Sequence, residues 1–341
     1  MNKSLANVLK ALFFLGIGIL LIWLVTRNLS DSDKKNILLA FKEAKYIWIA
    51  VAMIISGLSH WFRAVRWKML LTALGHQPKV STTFFAVMIG YLANFALPRL
   101  GEVSRCGVLT KYEKIPFSES FGTVITERAV DVICLLIIFG LTLLLEFHRI
   151  FQLVNDSILS PFQNKLMHLK ENLVFVFLFV LFCLTCIVVF YKYKHKFQQL
   201  LSGKFLATIK GFWEGMKSVK NVKNPFGFVA YTVAIWGCYA LILYCSFLCF
   251  DETTTLGWGA ALAILTFGSV AIIFVPGGTG AYQALVTQLL TASYFISFVI
   301  AFAFSWIVWT SSLLVILILG IISLVLLPLL NKQTNASASD F

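Results

Sequence analysis

The sequence predicts an all-α, polytopic transmembrane helical bundle of about seven or eight spans, with two broken or re-entrant segments that suggest an inverted repeat. Three observations carry that prediction. Of 341 residues, 59% are hydrophobic and only 13% charged, with 32 phenylalanines and a mean hydropathy of +0.87. A soluble domain of this size has no use for so much apolar surface. The apolar residues gather into runs near the roughly 20 residues that cross about 30 Å of hydrocarbon. Two of those runs are cut by proline, glycine and clustered charge.

Taken in order, the first run is 8–25. Lys3 and Lys10 precede it as in a signal peptide, but it is long, lacks a small-residue cleavage site and is followed by many spans, so it reads as a retained helix. Runs 46–62, 82–97, 129–145, 173–191, 226–250, 256–275, 281–290 and 295–327 follow. Run 82–97 is about 24 Å long as a helix and falls short of the hydrocarbon thickness. Pro98 ends it, because its ring collides with the Asn94 carbonyl and it has no N–H. Run 281–290 is too short to span, and 295–327 is too long for one untilted helix. Between 256–275 and 281–290 lies "VPGGTG", 275–280. Irregular backbone at this depth cannot face lipid, so it is buried or lines a wet cavity. Residues 1–330 form one membrane domain with halves near 1–146 and 172–330, and 331–341 read as a short flexible tail.

Charge orients the chain. If two of the misfit segments enter and leave on one side, most of the 28 lysines and arginines fall in 1–10, 63–81, 98–128, 192–224 and the tail. The positive-inside rule then makes both termini cytoplasmic, in the plasma (inner) membrane. The net charge of +13 suits anionic inner-leaflet lipids and needs no nucleic acid.

Candidate functional residues sit at the interruptions. Arg99, Glu102 and Arg105 recur every three residues on one side of a helix expected after Pro98. Glu127, Arg128 and Asp131 open the next span, and Glu127 and Asp131, four apart, repel unless a cation lies between them. The six charges cancel, so the clusters are expected to pair across helices, as a structural latch or as a site. In a site, the arginines suit a lipid phosphate and the carboxylates a cationic amine. Arg63 and Arg66, beside Trp61 and Trp67 at an expected helix end, read as interface anchors or as a second headgroup contact. Gly277, Gly278 and Gly280, with Gln283 close behind, form either a tight turn or a substrate-facing turn. The seven cysteines fall mostly inside spans and read as packing residues. The five scattered histidines have no metal-ligand spacing, no Gly-x-Ser-x-Gly elbow occurs, and no metal or cofactor is expected.

Arg63–Ala64–Val65–Arg66–Trp67, Gly90–Tyr91, Asn94, Pro98–Arg99–Leu100–Gly101–Glu102 with Arg105, Glu127–Arg128 with Asp131, and Pro276–Gly277–Gly278–Thr279–Gly280 together resemble the lysylphosphatidylglycerol synthase transmembrane-region family, over roughly 45–330. The resemblance implies a flippase-like membrane protein with re-entrant helices that moves a phospholipid or other lipid-linked phosphate between leaflets. Many relatives carry an acidic residue where this chain has Gln283. The soluble aminoacyl-transferase domain of bifunctional members has no counterpart, so lysyl transfer by this chain alone is not expected. A membrane-embedded enzyme or accessory protein acting on a lipid-linked phosphate or glycan is the alternative. A homo-oligomer is compatible with either.

Overall fold

The computed structural model describes residues 29–96, 100–154 and 222–336, with Gly16, Leu20, Trp23 and Arg27 placed singly before them. Run 173–191, most of 8–25, and Arg99 lie outside the described residues. Among the described residues the chain is all-helical: α1 Asp31–Glu43, α2 Tyr46–Ala73, α3 Val80–Ala96, α4 Leu100–Tyr112, α5 Phe117–Val154, α6 Pro225–Phe247, α7 Trp258–Phe274, α8 Ala281–Tyr294 and α9 Phe298–Ala336. Four helices are long and apolar enough to cross a membrane, α2, α5, α6 and α9; α3 and α7 are apolar but shorter.

Local chemistry sets several ends. Ser30 and Asp33 form a capping box that opens α1, and hydrogen bonds from Ser30 hold the exposed Asp33 carboxyl below its ordinary range. Helix α2 stops at Gly75, whose φ of +96° lets the chain turn left-handed while the His76 N–H bonds back to the Leu71 carbonyl. Its last helical residue, Ala73, lies 11 residues beyond the expected end at 62. Arg63 and Arg66 are therefore interior to a long helix, and their expected place at a helix end is corrected. Likewise α5 begins at Phe117, after Pro116, so Glu127, Arg128 and Asp131 lie about three turns into the helix instead of opening it. Hydropathy alone ends the first run too early and starts the second too late, because it scores buried, paired charges as if they met lipid. Helix α9 also runs on to Ala336, through the start of the expected tail.

Side-chain contacts give each helix its direction. Lys45, before α2, pairs with Asp251, beyond the end of α6. At the opposite end Leu70 of α2 packs with Val222 and Phe228 at the start of α6. Helices α2 and α6 are therefore antiparallel. Helix α5 starts where α2 ends, with His76 Nε2 2.6 Å from Glu119 Oε2. It finishes at the other end, where the Arg149 guanidinium lies 5.0 Å from the Tyr294 ring. The Lys79 N–H donates to Glu113 at 3.1 Å, joining the open end of the α3–α4 hairpin where α2 stops. The α7–α8 hairpin opens at the other end: Trp258 stacks on Tyr244 of α6 at 4.5 Å, and Tyr294 meets Arg149.

Two helical hairpins thus dip into the bundle from opposite ends, one after α2 and one after α6. Their packing partners correspond. Helix α2 packs on α3 as α6 packs on α7, α4 on α5 as α8 on α9, and α3 on α9 as α7 on α5. The first hairpin also reaches the turn of the second, since α3 touches Pro276–Gly278.

The arms of the first hairpin touch backbone to backbone. A Cβ on Gly101 would stand 2.2 Å from the Gly90 carbonyl oxygen and 2.6 Å from the Asn94 side chain. Asn94 Oδ1 also accepts the Gly101 N–H at 2.7 Å. Gly101→Ala is expected to spread the hairpin and cost about 1–3 kcal/mol, despite alanine's better helix propensity. Thermal unfolding of the purified variant checks this.

Candidate functional site

Charged side chains within membrane-spanning helices are costly unless they pair, so each needs a partner. Helix α2 supplies Arg63 and Arg66, three residues apart on one face; both are buried, Arg66 completely. Helix α5 presents Glu127 and Asp131 one turn apart, and α4 presents Arg105. Arg63 Nη1 donates to Glu127 Oε1 at 2.6 Å and to Asp131 Oδ2 at 2.8 Å. This guanidinium is the cation that lets the two carboxylates share a face. Arg66 Nη2 donates to Asp131 Oδ1 at 2.7 Å and lies 3.6 Å from Glu127 Oε1. Arg105 Nη2 approaches the other Glu127 oxygen at 3.1 Å. The expected role of Arg63 and Arg66 as interface anchors is thereby corrected; burial and pairing put them at the centre of the network.

Helix α6 adds neutral partners. Arg63 Nη2 donates to the Tyr239 hydroxyl at 3.0 Å, and Arg66 Nη1 reaches Thr232 Oγ1 at 3.5 Å. Trp67 supports Arg105 from below, its ring 4.6 Å from the guanidinium carbon. Its own N–H donates to Thr123 at 2.9 Å. His60 lies against Tyr91 of α3, ring centroids 5.1 Å apart. Sequence patterning did not single out Tyr239, Thr232 or His60.

Within the network three arginines meet two carboxylates, leaving one positive charge in excess. A separate pair, Arg128 Nη2 to Glu102 Oε1 at 3.0 Å, is neutral and more open, with 44% of the Arg128 side chain exposed. The excess is least satisfied at Arg105. Its Nε and Nη2 are buried without a hydrogen-bond partner, the contact to Glu127 being close but poorly aimed. Buried N–H groups left this way cost about 1–3 kcal/mol each, more when charged. The network therefore carries one unbalanced positive charge beside Arg105, and Glu127 Oε2, 3.1 Å from it, is likewise buried without a well-aimed donor.

The glycine turn has a different character. Gly277, Gly278 and Gly280 all have positive φ, of 71°, 69° and 78°, which glycine alone adopts readily. Gln283 Oε1 accepts the Gly280 N–H at 2.8 Å, capping α8, and its Nε2 is buried without a partner. The Trp309 indole N–H donates to the Gly277 carbonyl at 2.8 Å. This bond ties α9 to the turn, and Trp309→Phe is expected to lower stability by about 1 kcal/mol, read as a small drop in unfolding temperature.

Among the described residues no hydrogen bond or ion pair joins this turn to the ionic network; α3 touches both sides, through Tyr91 against His60 and through its contact with the turn. Two cavities, of about 360 and 420 Å³, lie elsewhere, one between α4 and α9 and one between α2 and α9. Of the expected site residues, the structure brings Arg63, Arg66, Arg105, Glu127 and Asp131 together, places Glu102 and Arg128 as a flanking pair, and gives Asn94 to the hairpin. Among the described residues no group of His, Cys, Asp and Glu is arranged to hold a metal ion.

The sequence profile for the lysylphosphatidylglycerol synthase TM region matches residues 8–320. A UPF0104 membrane protein of Methanocaldococcus jannaschii is 24% identical over 278 residues, covering 75% of this chain and 74% of that protein. No solved structure gives a significant match.

Proposed function

Because the chain belongs to the lysylphosphatidylglycerol synthase transmembrane-region family, we propose that it moves a phosphate-bearing membrane lipid between leaflets, its phosphate passing the arginines of the ionic network. The observation that carries this proposal is the excess positive charge of the network at Arg105, whose buried Nε and Nη2 make no hydrogen bond. A phosphodiester supplies the missing charge and accepts from a guanidinium fork in two places. Hairpins entering from opposite ends supply the fold logic: an inverted pair permits one half to rock against the other about a central site. The lipid's tails stay in the bilayer, and the plasma (inner) membrane, with both termini cytoplasmic, is the setting proposed.

An enzyme acting on a lipid-linked phosphate would draw its acid or base from Glu102, Glu127 or Asp131. Arginines hold all three, which supports carriage over chemistry. The test is reconstitution into vesicles containing phosphatidylglycerol labelled on one acyl chain, with a membrane-impermeant quencher added outside. Carriage predicts loss of fluorescence beyond the outer-leaflet fraction, at a rate proportional to protein, with the labelled lipid recovered unchanged. A chemically altered lipid would favour an enzyme, and a trace equal to protein-free vesicles would refute transport of this lipid.

A further inference from the structure

We propose that the crevice between α4 and α9 is a second lipid site, distinct from the ionic network, which holds an acyl chain of an anionic phospholipid and takes its phosphate on Lys111. The cavity there is about 360 Å³. Its walls are Ile89 of α3, Val108 of α4, and Leu324 and Leu327 of α9. It runs along α4 from Ser104, next to Arg105, to Lys111 at the end of the helix, about 10 Å at the helical rise. One end therefore lies at membrane depth and the other at the rim, as a phospholipid requires.

The rim is chemically matched to a headgroup. Lys111 is exposed and no carboxylate lies within ion-pair distance of it among the described residues; its ammonium lies 5.1 Å from the Tyr112 ring. Across the crevice, Pro328 lies inside the continuous helix α9. Proline has no N–H to return to the carbonyl four residues earlier, so the carbonyl of Leu324, another crevice residue, lacks that intrahelical donor. In a bilayer the chain gains little by leaving other chains, so the phosphate contact sets the preference. A lysine near the headgroup plane is worth a factor of about five.

The site is independent of the transport proposal, because no side chain of the ionic network lines the crevice. Gly107, which also lines it, provides a clean probe: a Cβ there meets nothing within 4 Å, so Gly107→Leu fills the crevice without displacing the helix. The experiment is native mass spectrometry of full-length protein released from bilayers of equal phosphatidylglycerol and phosphatidylcholine, with unfolding temperature recorded for each variant. Wild type is expected to retain one phosphatidylglycerol in preference to phosphatidylcholine. Lys111→Ala should reduce that preference about fivefold, Lys111→Arg should keep it, Gly107→Leu should lose the bound lipid, and Arg105→Gln should retain it. Full retention in Gly107→Leu, unchanged preference in Lys111→Ala, or no retained lipid in wild type would overturn the site. Loss of the lipid in Arg105→Gln would place it in the ionic network instead, and also overturns the site. Transport with an empty crevice leaves the main proposal standing.

Discussion

Glu127→Gln is expected to lower the unfolding temperature of the purified protein by about 10 °C, the largest single-residue effect on stability in the bundle. Glu127 is wholly buried, and Arg63, Arg66 and Arg105 all approach its two oxygens. Glutamine keeps the shape and removes the charge, so Asp131 is the one carboxylate left for Arg63 and Arg66, and Arg105 loses its ion-pair partner. Breaking a buried ion pair from one side costs about 3–5 kcal/mol, and a few degrees per kcal/mol is the usual scale for chains of this size. Intrinsic fluorescence during heating in detergent reads the shift, since the chain carries nine tryptophans, Trp67 among them beneath Arg105. A change within about 2 °C would mean that the carboxylate is not the hub of the network.

Arg105→Gln is expected to do the reverse, leaving the fold intact and removing transport. Loss of this guanidinium brings the network to neutrality, two arginines against two carboxylates, and frees the structure of its unpartnered N–H groups. Unfolding temperature should hold or rise slightly. Transport should fall by roughly ten- to a hundredfold, the equivalent of about 1.5–3 kcal/mol for a hydrogen bond to a charged group, measured as the initial rate of labelled phosphatidylglycerol translocation. Arg105→Lys should fall between, because a single ammonium keeps the charge but not the two-pronged geometry. Opposite signs from two neighbours in one network are hard to obtain from a purely structural latch.

The two hairpins were legible in the sequence because their breaks use residues with strong backbone consequences: Pro98 near one turn, and Pro276 with three glycines at the other. The carboxylates four residues apart likewise announced the need for a cation. What hydropathy misread was the identity of that cation. Hydropathy places Arg63 and Arg66 at a helix end, as interface anchors or a second headgroup contact, because a run of apolar residues ends before them, yet α2 continues for three turns and buries both. Charge counts as a helix end only when it lacks a partner, and the partners lie 64 to 68 residues away in the chain. Tyr239 and Thr232 were invisible for a different reason. One hydroxyl on an apolar helix carries no pattern, and only the antiparallel pairing of α2 with α6 brings each to its arginine.

The most direct measurement is dipolar contact between lipid phosphorus and arginine nitrogen by solid-state NMR, using ¹⁵N-arginine protein in phosphatidylglycerol bilayers. Passage of the phosphate along the network predicts ³¹P–¹⁵N dephasing from a guanidinium shielded from water, absent in Arg105→Gln. Dephasing confined to water-exposed arginines, and identical in wild type and Arg105→Gln, would contradict it.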